Sequence, residues 1–330
     1  MKSTAALVLT LLLIAVAAAA PFAIYPVLLM KILCFALFAS AFNLLAGFTG
    51  LMSFGHAAFL GTGAYAAGYF IKQWGVTPEI ALLLAMACVA LLGLAMGALA
   101  IRRHGIYFSM VTLALSQMVF FFFLQSRFTG GEDGMQGVPR GRLFGIISLN
   151  DDLALYYFVL TVCVLALLLI WRIVHSPFGR VLDSIRENEQ RALSLGYEVG
   201  RFKLMTFTMS AALSGLAGGA KTLVFGFATL VDAQWHTSGE VILMTLLGGM
   251  GTLSGPVVGS TIVVLLQNVL ADKVGSKVTI IMGLIFMVCV VTFRKGIIGE
   301  LSEVLRPMRP DGARRGETAS HGDAPAAEIG

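Results

Sequence analysis

The apolar residues of this chain come in unbroken runs as long as a bilayer is thick, and that property decides which solvent the fold is built for. No charged residue lies between Ile80 and Ile101, between Gly105 and Ser126, or between Leu153 and Trp171. A helix needs about 20 consecutive apolar residues to cross the hydrocarbon core, whereas a water-facing helix alternates an apolar stripe with a polar one. Taking each run as one crossing predicts spans at 4–20, 26–46, 54–71, 79–101, 106–126, 154–172, 203–220, 238–250, 255–272 and 278–293, the eighth being short. The expected fold is all-α, a polytopic transmembrane helix bundle filling residues 1–305. Residues 306–330 are read as a cytoplasmic tail without apolar periodicity and are expected to be disordered. Composition closes the soluble alternative: 58% of residues are apolar and 12% charged, against about 45–50% and about 25% in soluble domains.

Orientation follows from Lys and Arg. With a cytoplasmic amino terminus, alternation places fifteen basic residues inside and seven outside, Lys221 among the latter, and leaves Lys31 within a span near its outer end. That split agrees with the positive-inside rule and puts both termini in the cytoplasm. It also makes 238–250 a true crossing, because a re-entrant loop there would put the basic tail outside. The first run imitates a secretory signal peptide, with Lys2 ahead of it and the Ala17 to Ala20 tract as a small-residue cleavage site. Cleaved or not, residue 21 emerges outside. The net charge of +5 gathers at span ends rather than in an aromatic-laced patch, which excludes nucleic acid as a partner. Cys34, Cys88, Cys163 and Cys289 lie within apolar runs with no C-x-x-C pair, so they read as small hydrophobes and not as metal ligands or a disulfide framework.

Three stretches interrupt the apolar pattern. The first runs from Gly47 to Gly63 and is dense in small residues, which let helix backbones approach closely in lipid. Its Gly47, Gly50 and Ser53 recur in spacing as Gly248, Gly251 and Ser254, a trace of internal repetition of the kind transporters carry. Within it, His56 is either a polar contact on a substrate path or a neutral histidine donating to a backbone carbonyl at the Gly-rich turn. The second is the outer loop from Arg127 to Asp152, whose run Thr129-Gly130-Gly131-Glu132-Asp133-Gly134 suits tight turns.

The third is the cytoplasmic loop at 173–202. Ser176 and Pro177 suit an N-cap and first helical position, and Gly196 suits a left-handed stop. At 100° per residue Val181, Leu182, Ile185, Ala192, Leu193 and Leu195 share one side, interrupted by Asn188 and Glu189. Two short helices are therefore expected, with a break at residue 187 or 188 and Asn188 capping the second. Asp183, Glu187 and Glu189 balance Arg186 and Arg191 on the polar face, which suits a protein partner better than anionic lipid.

Competing chemistries find little support. Gly215 to Thr222 nearly spells a phosphate loop, but Ala220 replaces the required glycine, so small-residue packing is the reading and no ATPase is expected in this chain. Glu79 and Glu240 sit at span ends, which argues against ion coupling in a stand-alone secondary carrier or channel. Ser214 and His56 are the candidates for an intramembrane protease, and a serine in a small-residue helix is ordinarily packing. No cofactor motif and no metal-ligand cluster is present in the sequence.

Six stretches taken in order resemble one family. They are Gly50 to Phe59, Arg102 to Ala114, Thr129 to Gly134, Ser176 to Arg180, Ile185 to Glu189, and Leu247 to Pro256. Together they look like the inner-membrane permeases of bacterial ABC importers for branched-chain amino acids, of the LivM type. The resemblance implies a type II importer permease fold in the inner membrane. It also implies a second related permease subunit, two cytoplasmic ABC ATPases and a periplasmic amino-acid-binding protein as partners, and no enzymatic activity in this chain. It places the coupling loop at Ile185, Arg186, Glu187, Asn188, Glu189, Arg191, Ala192 and Gly196. Gly50, Ser53, Gly55, His56, Gly248, Gly251 and Ser254 become path or packing positions. A sister cargo such as urea or a short amide stays open, because in such systems the binding protein selects the substrate.

Overall fold

The computed structural model describes residues 17–22, 24–143, 145, 147–274, 281, 283–285, 287 and 296–298. Most of the first and last expected crossings, Cys289 and the tail from 306 therefore lie outside the described residues.

Proline and glycine set the bounds of the helices. Helix α1 (Pro26–Thr49) opens on a proline that needs no amide partner, and it stops at Gly50 in the left-handed conformation, φ 77°, with the Gly50 amide on the Leu45 carbonyl. Helix α2 (His56–Trp74) stops the same way at Gly75. Helix α3 (Pro78–Ala100) again opens on proline. Helix α4 (Ile106–Gln125) leads into the outer loop, whose two-residue strands β1 (Arg142–Leu143) and β2 (Ile147–Ser148) pair antiparallel. Helix α5 (Asp152–Val174) is capped by the Asp151 carboxylate on the Leu153 amide. Helices α6 (Pro177–Glu187) and α7 (Glu189–Ser194) form a hairpin, followed by α8 (Val199–Phe225), α9 (Trp235–Gly248) and α10 (Gly255–Val274).

Two helices form the interior. Every residue of α1 from Cys34 to Thr49 is buried, and α1 packs on α5, α8, α9 and α10. Helix α8 packs on α1, α2 and α3. Water drives no helices together inside lipid, so close packing must hold them, and small residues make it possible. A Cβ on Gly63 would fall on the Gly215 backbone, and one on Gly218 would fall on the Leu60 carbonyl, so α2 and α8 touch main chain to main chain. Gly215 also faces Val89 and Gly219 faces Leu82, which seats α3 on the other side of α8. The near phosphate loop is thus a helix-packing stripe.

The outer helices turn their apolar surface away from protein. The most apolar windows of α3, α4 and α5 are 39%, 28% and 39% buried against 72% for α1. On α4 the exposed large apolar residues include Met110, Met118, Phe121 and Phe122, a face fit for lipid. These four helices are long and apolar enough to cross a membrane by themselves. Helices α2 and α8 carry more Gly, Ser and Thr because they are solvated by protein instead.

Helix α9, at 14 residues, spans about 21 Å at 1.5 Å per residue, short of the roughly 30 Å of a hydrocarbon core. The stretch 226–234, with a single 3-10 turn at Leu230–Ala233, precedes it. That stretch begins at the outer loop, where Ala228 bridges Met135 and the Gly226 carbonyl accepts from Val138, and then enters the bundle so that Ala233 lies against Gly61 of α2. Backbone that is not α-helical is tolerated here because it is enclosed by protein. The short eighth run corresponds to this short helix. One expectation is corrected here. Lys221 is not in an outer loop but in α8, its side chain 16% exposed and ion-paired with the buried Asp232 of the entering stretch.

The connections segregate to two ends, as the alternation requires. At one end lie the α1–α2 turn, residues 102–105, the α6–α7 hairpin and the α9–α10 turn, linked by Arg186 to Gly47 and by Glu189 to His104 and Lys203. At the other, Lys72 donates to the Gln136 carbonyl (2.7 Å), and Arg140 pairs with Asp152 (2.7 Å) and reaches the Val224 carbonyl (3.3 Å).

Candidate functional site

The hairpin forms where the sequence reading put it. The Ser176 hydroxyl accepts from the Gly179 amide, Asn188 breaks the two helices and its Oδ1 accepts from the Arg191 amide at 3.0 Å, and Gly196 ends α7 at φ 85°. Ile185, Ala192 and Val199 make a small core with Val181 and Phe202, and Leu182 is fully buried. The apolar stripe is corrected in part: Leu193 and Leu195 are 47% and 67% exposed. The reset of backbone direction at Asn188 rotates α7 relative to α6, so a single 100° count carried through the break misplaces them. With exposed Tyr197 they form an outward apolar patch beside the exposed Glu187, Asn188 and Arg191. Partial burial pushes the Asp183 carboxyl above its usual range, opposed by Arg186 and reinforced by Glu187. Glu189 is not part of the free face. It pairs at 2.7 Å with Lys203, whose side chain is 7% exposed.

Arg186 joins the hairpin to the bundle. Its Nη1 donates to the Gly47 carbonyl of α1, its stem lies against Gly50, and a Cβ added to Gly251 would come within 2.8 Å of Nη1. Gly50 and Gly251 are both left-handed, at φ 77° and 78°, where any other residue is strained. The two Gly-x-x-Gly-x-x-Ser stretches thus meet in space on one guanidinium. Each forms a turn between helices, residues 50–55 in one and 249–254 in the other. Asn43 ties them further: its side chain donates to the Thr252 carbonyl (2.8 Å) and accepts from the Gly251 amide (2.9 Å). Gly248 seals the second turn, since a Cβ there would strike the Gly255 carbonyl. The serines differ. Ser53 is buried and accepts from the Gly55 amide (3.2 Å), while Ser254 is exposed and its carbonyl accepts from Val258.

From Gly50 the chain climbs beside the first turns of α4, with Met52 accepting from Ser109 (2.6 Å), the Phe54 amide donating to Thr112 (3.2 Å), and Gly55 pressed on the Thr112 carbonyl. Helix α2 then starts inside the bundle, its Ala57 amide capped by Ser238 of α9 at 2.9 Å. His56 is fully buried among the edges of Phe42, Phe59 and Phe207, and its Nε2 lies 2.9 Å from the Ser210 hydroxyl. Ser210 gives its own proton to the Ala41 carbonyl, so the histidine must be the donor, with the hydrogen on Nε2. It reaches a backbone carbonyl through a serine rather than directly. Ser214 bonds back to Ser210 within α8 and makes no hydrogen bond to a histidine among the described residues, His56 bonding Ser210 instead, so the nucleophile pairing has no geometric basis.

Sequence reasoning missed Asn43, the Arg186 acceptor and the Lys221–Asp232 pair. Asn43 could have been flagged as a polar residue inside an apolar run, one turn before Gly47. Asp232 carried no comparable signal, because it reads as a loop residue.

Over residues 24–292 the chain matches the family described as the branched-chain amino acid transport system / permease component. It is 28% identical over 253 residues to the high-affinity branched-chain amino acid transport system permease protein LivM of Escherichia coli (strain K12), across 70% of this chain and 60% of that one. It is 36% identical over 117 residues to the ribose import permease protein RbsC of Bacillus subtilis (strain 168), across 32% of this chain and 34% of the relative. To the autoinducer 2 import system permease protein LsrC of Salmonella choleraesuis (strain SC-B67) it is 30% identical over 149 residues, 43% of this chain and 42% of the other. The chain spans 60% of the length of the LivM relatives. No solved structure matches it.

Proposed function

The chain belongs to the branched-chain amino acid permease family, and from that premise we propose that it is the membrane subunit of an ATP-driven importer for branched-chain or similar hydrophobic amino acids. Its α6–α7 hairpin takes the push of a cytoplasmic ATPase, with the end that bears the hairpin facing the cytosol. A second permease subunit completes the path, and a periplasmic binding protein delivers the cargo. Both termini are cytoplasmic in this reading.

One observation carries it: Arg186 of the hairpin holds the Gly47 carbonyl between Gly50 and Gly251. A force on the hairpin is thereby delivered to the turn of α1 and to the turn between α9 and α10 together. Coupling requires an element whose two arrangements are biased by both ligands, and a rigid hairpin hydrogen-bonded to two helical turns is such an element. The exposed face of the site, Glu187, Asn188, Arg191 and the Leu193–Leu195–Tyr197 patch, is the docking surface for the ATPase. Ile185, Ala192 and Gly196 shape it, and Glu189 braces it through Lys203. Ser53, Gly55, His56, Gly248 and Ser254 serve as packing and turn positions rather than substrate contacts.

The relatives named for ribose and autoinducer 2 keep a sugar-type cargo as a second reading. Reconstitution decides between them. Proteoliposomes holding this chain with its partner permease, ATPases and binding protein should accumulate labelled leucine on ATP addition and not labelled ribose. Accumulation of leucine by this chain alone under an ion gradient would refute the importer reading.

A further inference from the structure

The turn between α3 and α4 sets two kinds of surface end to end. Arg102, Arg103 and His104 are exposed in the turn, and neither arginine has an ion partner among the described residues. Helix α4 follows directly after Gly105, with Ile106 and Tyr107 each 73% exposed in its first turn. Tyr107, Met110, Ala114, Met118 and Phe121 recur every three or four residues and are all exposed, so they form one stripe along the helix. From Tyr107 to Phe121 the stripe runs about 21 Å at 1.5 Å per residue, deeper than the roughly 15 Å of hydrocarbon in one leaflet.

The opposite face of α4 belongs to the protein. Phe108, Thr112, Ser116, Val119 and Phe123 are buried, and the first turns are tied to the α1–α2 turn by Ser109 on the Met52 carbonyl and Thr112 on the Phe54 amide. The stripe is thereby held outward. A surface that is apolar through one leaflet and ends in a tyrosine and two arginines has the profile of a phospholipid: chain on the stripe, ring at the headgroup level, phosphate on the guanidinium groups. A soluble protein could meet the arginines but not the stripe beneath them, which runs into the bilayer. The same turn touches the coupling hairpin. His104 Nδ1 lies 3.8 Å from one carboxylate oxygen of Glu189, whose other oxygen holds Lys203 at 2.7 Å.

We propose that Arg102, Arg103, Tyr107 and the stripe of α4 bind an anionic phospholipid of the leaflet beside the hairpin, and that its headgroup steadies the hairpin through His104 and Glu189. Anionic lipid enriches the cytoplasmic leaflet, the side on which the hairpin is placed above. Lipid binding needs only that α4 cross a bilayer; its effect on transport rests on the importer reading.

The purified full chain in mixed micelles should retain spin-labelled phosphatidylglycerol in preference to spin-labelled phosphatidylcholine. At about fivefold per basic residue, Arg102→Gln with Arg103→Gln should lower that preference by up to about thirtyfold, whereas Arg102→Lys with Arg103→Lys keeps most of it. Equal retention of the two lipids by the wild type overturns the site, and so does an unchanged preference in the glutamine pair. Should the glutamine pair fail to insert, the wild type reads the same contact, because salt must erase a preference made by exposed charges; a salt-resistant preference overturns the role of the arginines. In the reconstituted complex, adding phosphatidylglycerol to phosphatidylcholine vesicles should raise leucine uptake by up to about fivefold, the worth of one exposed ion pair, and the glutamine pair should lose that rise. Uptake indifferent to lipid overturns the link to the hairpin. Loss of the ATPase from the glutamine-pair complex overturns the lipid assignment, since the arginines then dock protein. A complex that prefers phosphatidylglycerol as expected yet moves no leucine on ATP addition defeats the importer reading and supports the site.

Discussion

Replacing Arg186 by methionine isolates the link between hairpin and bundle. Methionine keeps an unbranched apolar stem, so the contact with Gly50 survives while the bond to the Gly47 carbonyl is lost. A hydrogen bond from a charged donor contributes about 1.5–3 kcal/mol. With about 1.4 kcal/mol per factor of ten, the docked arrangement should lose about tenfold to hundredfold of its advantage over the undocked one. The buried Leu182 and Ile185 still hold the hairpin against its own core, so the fold survives. The measurable consequence is slippage. In proteoliposomes, leucine imported per ATP hydrolysed should fall by about that factor, while hydrolysis itself continues and the ATPase stays bound. Arg186→Lys, which keeps one cationic donor, should fall between wild type and methionine. Wild-type stoichiometry in Arg186→Met would refute the argument. So would parallel loss of ATPase binding, since the residue would then serve docking rather than transmission.

Asp232→Ala should lower thermal stability in detergent by about 3–5 kcal/mol, because it strands the Lys221 ammonium in the bundle, and adding Lys221→Met should recover most of the loss; unchanged melting in the single variant contradicts the pairing. Gly218→Ala forces a methyl onto the Leu60 carbonyl and should cost about 1–3 kcal/mol, read by the same melting assay, with no effect expected at the open Gly200. Reversing Glu187 and Glu189 individually to lysine should distinguish docking from bracing. Glu187→Lys abolishes ATPase recruitment with stability unchanged, whereas Glu189→Lys also destabilises the hairpin by facing Lys203; pull-down and melting on each variant would expose identical behaviour if that division is wrong.

Much of the architecture could be read from punctuation. Ser176 with Pro177, the break at Asn188, and the stops at Gly50 and Gly196 are local signals, and the structure places helix ends at each. The spacing shared by Gly47-Gly50-Ser53 and Gly248-Gly251-Ser254 was visible, but not that both turns converge on Arg186. An arginine in a charged loop reads as solvated, and nothing local names an acceptor 139 positions away. The Lys221–Asp232 pair was hidden because Lys221 ends an apolar run and Asp232 follows a glycine-bearing stretch, so both read as loop residues. Leu193 and Leu195 were misassigned because helical phase does not survive a non-helical residue.

The main-chain contact between α2 and α8 at Gly63, Gly215 and Gly218 has a further consequence for how this molecule can move. Interlocked side chains can slide past one another by changing rotamer, but two backbones in direct touch have nothing left to rearrange. These helices, with α3 seated on Gly215 and Gly219, must travel as a keel. In the proposed import mechanism, alternation between two openings then falls to the joints between this unit and the other helices.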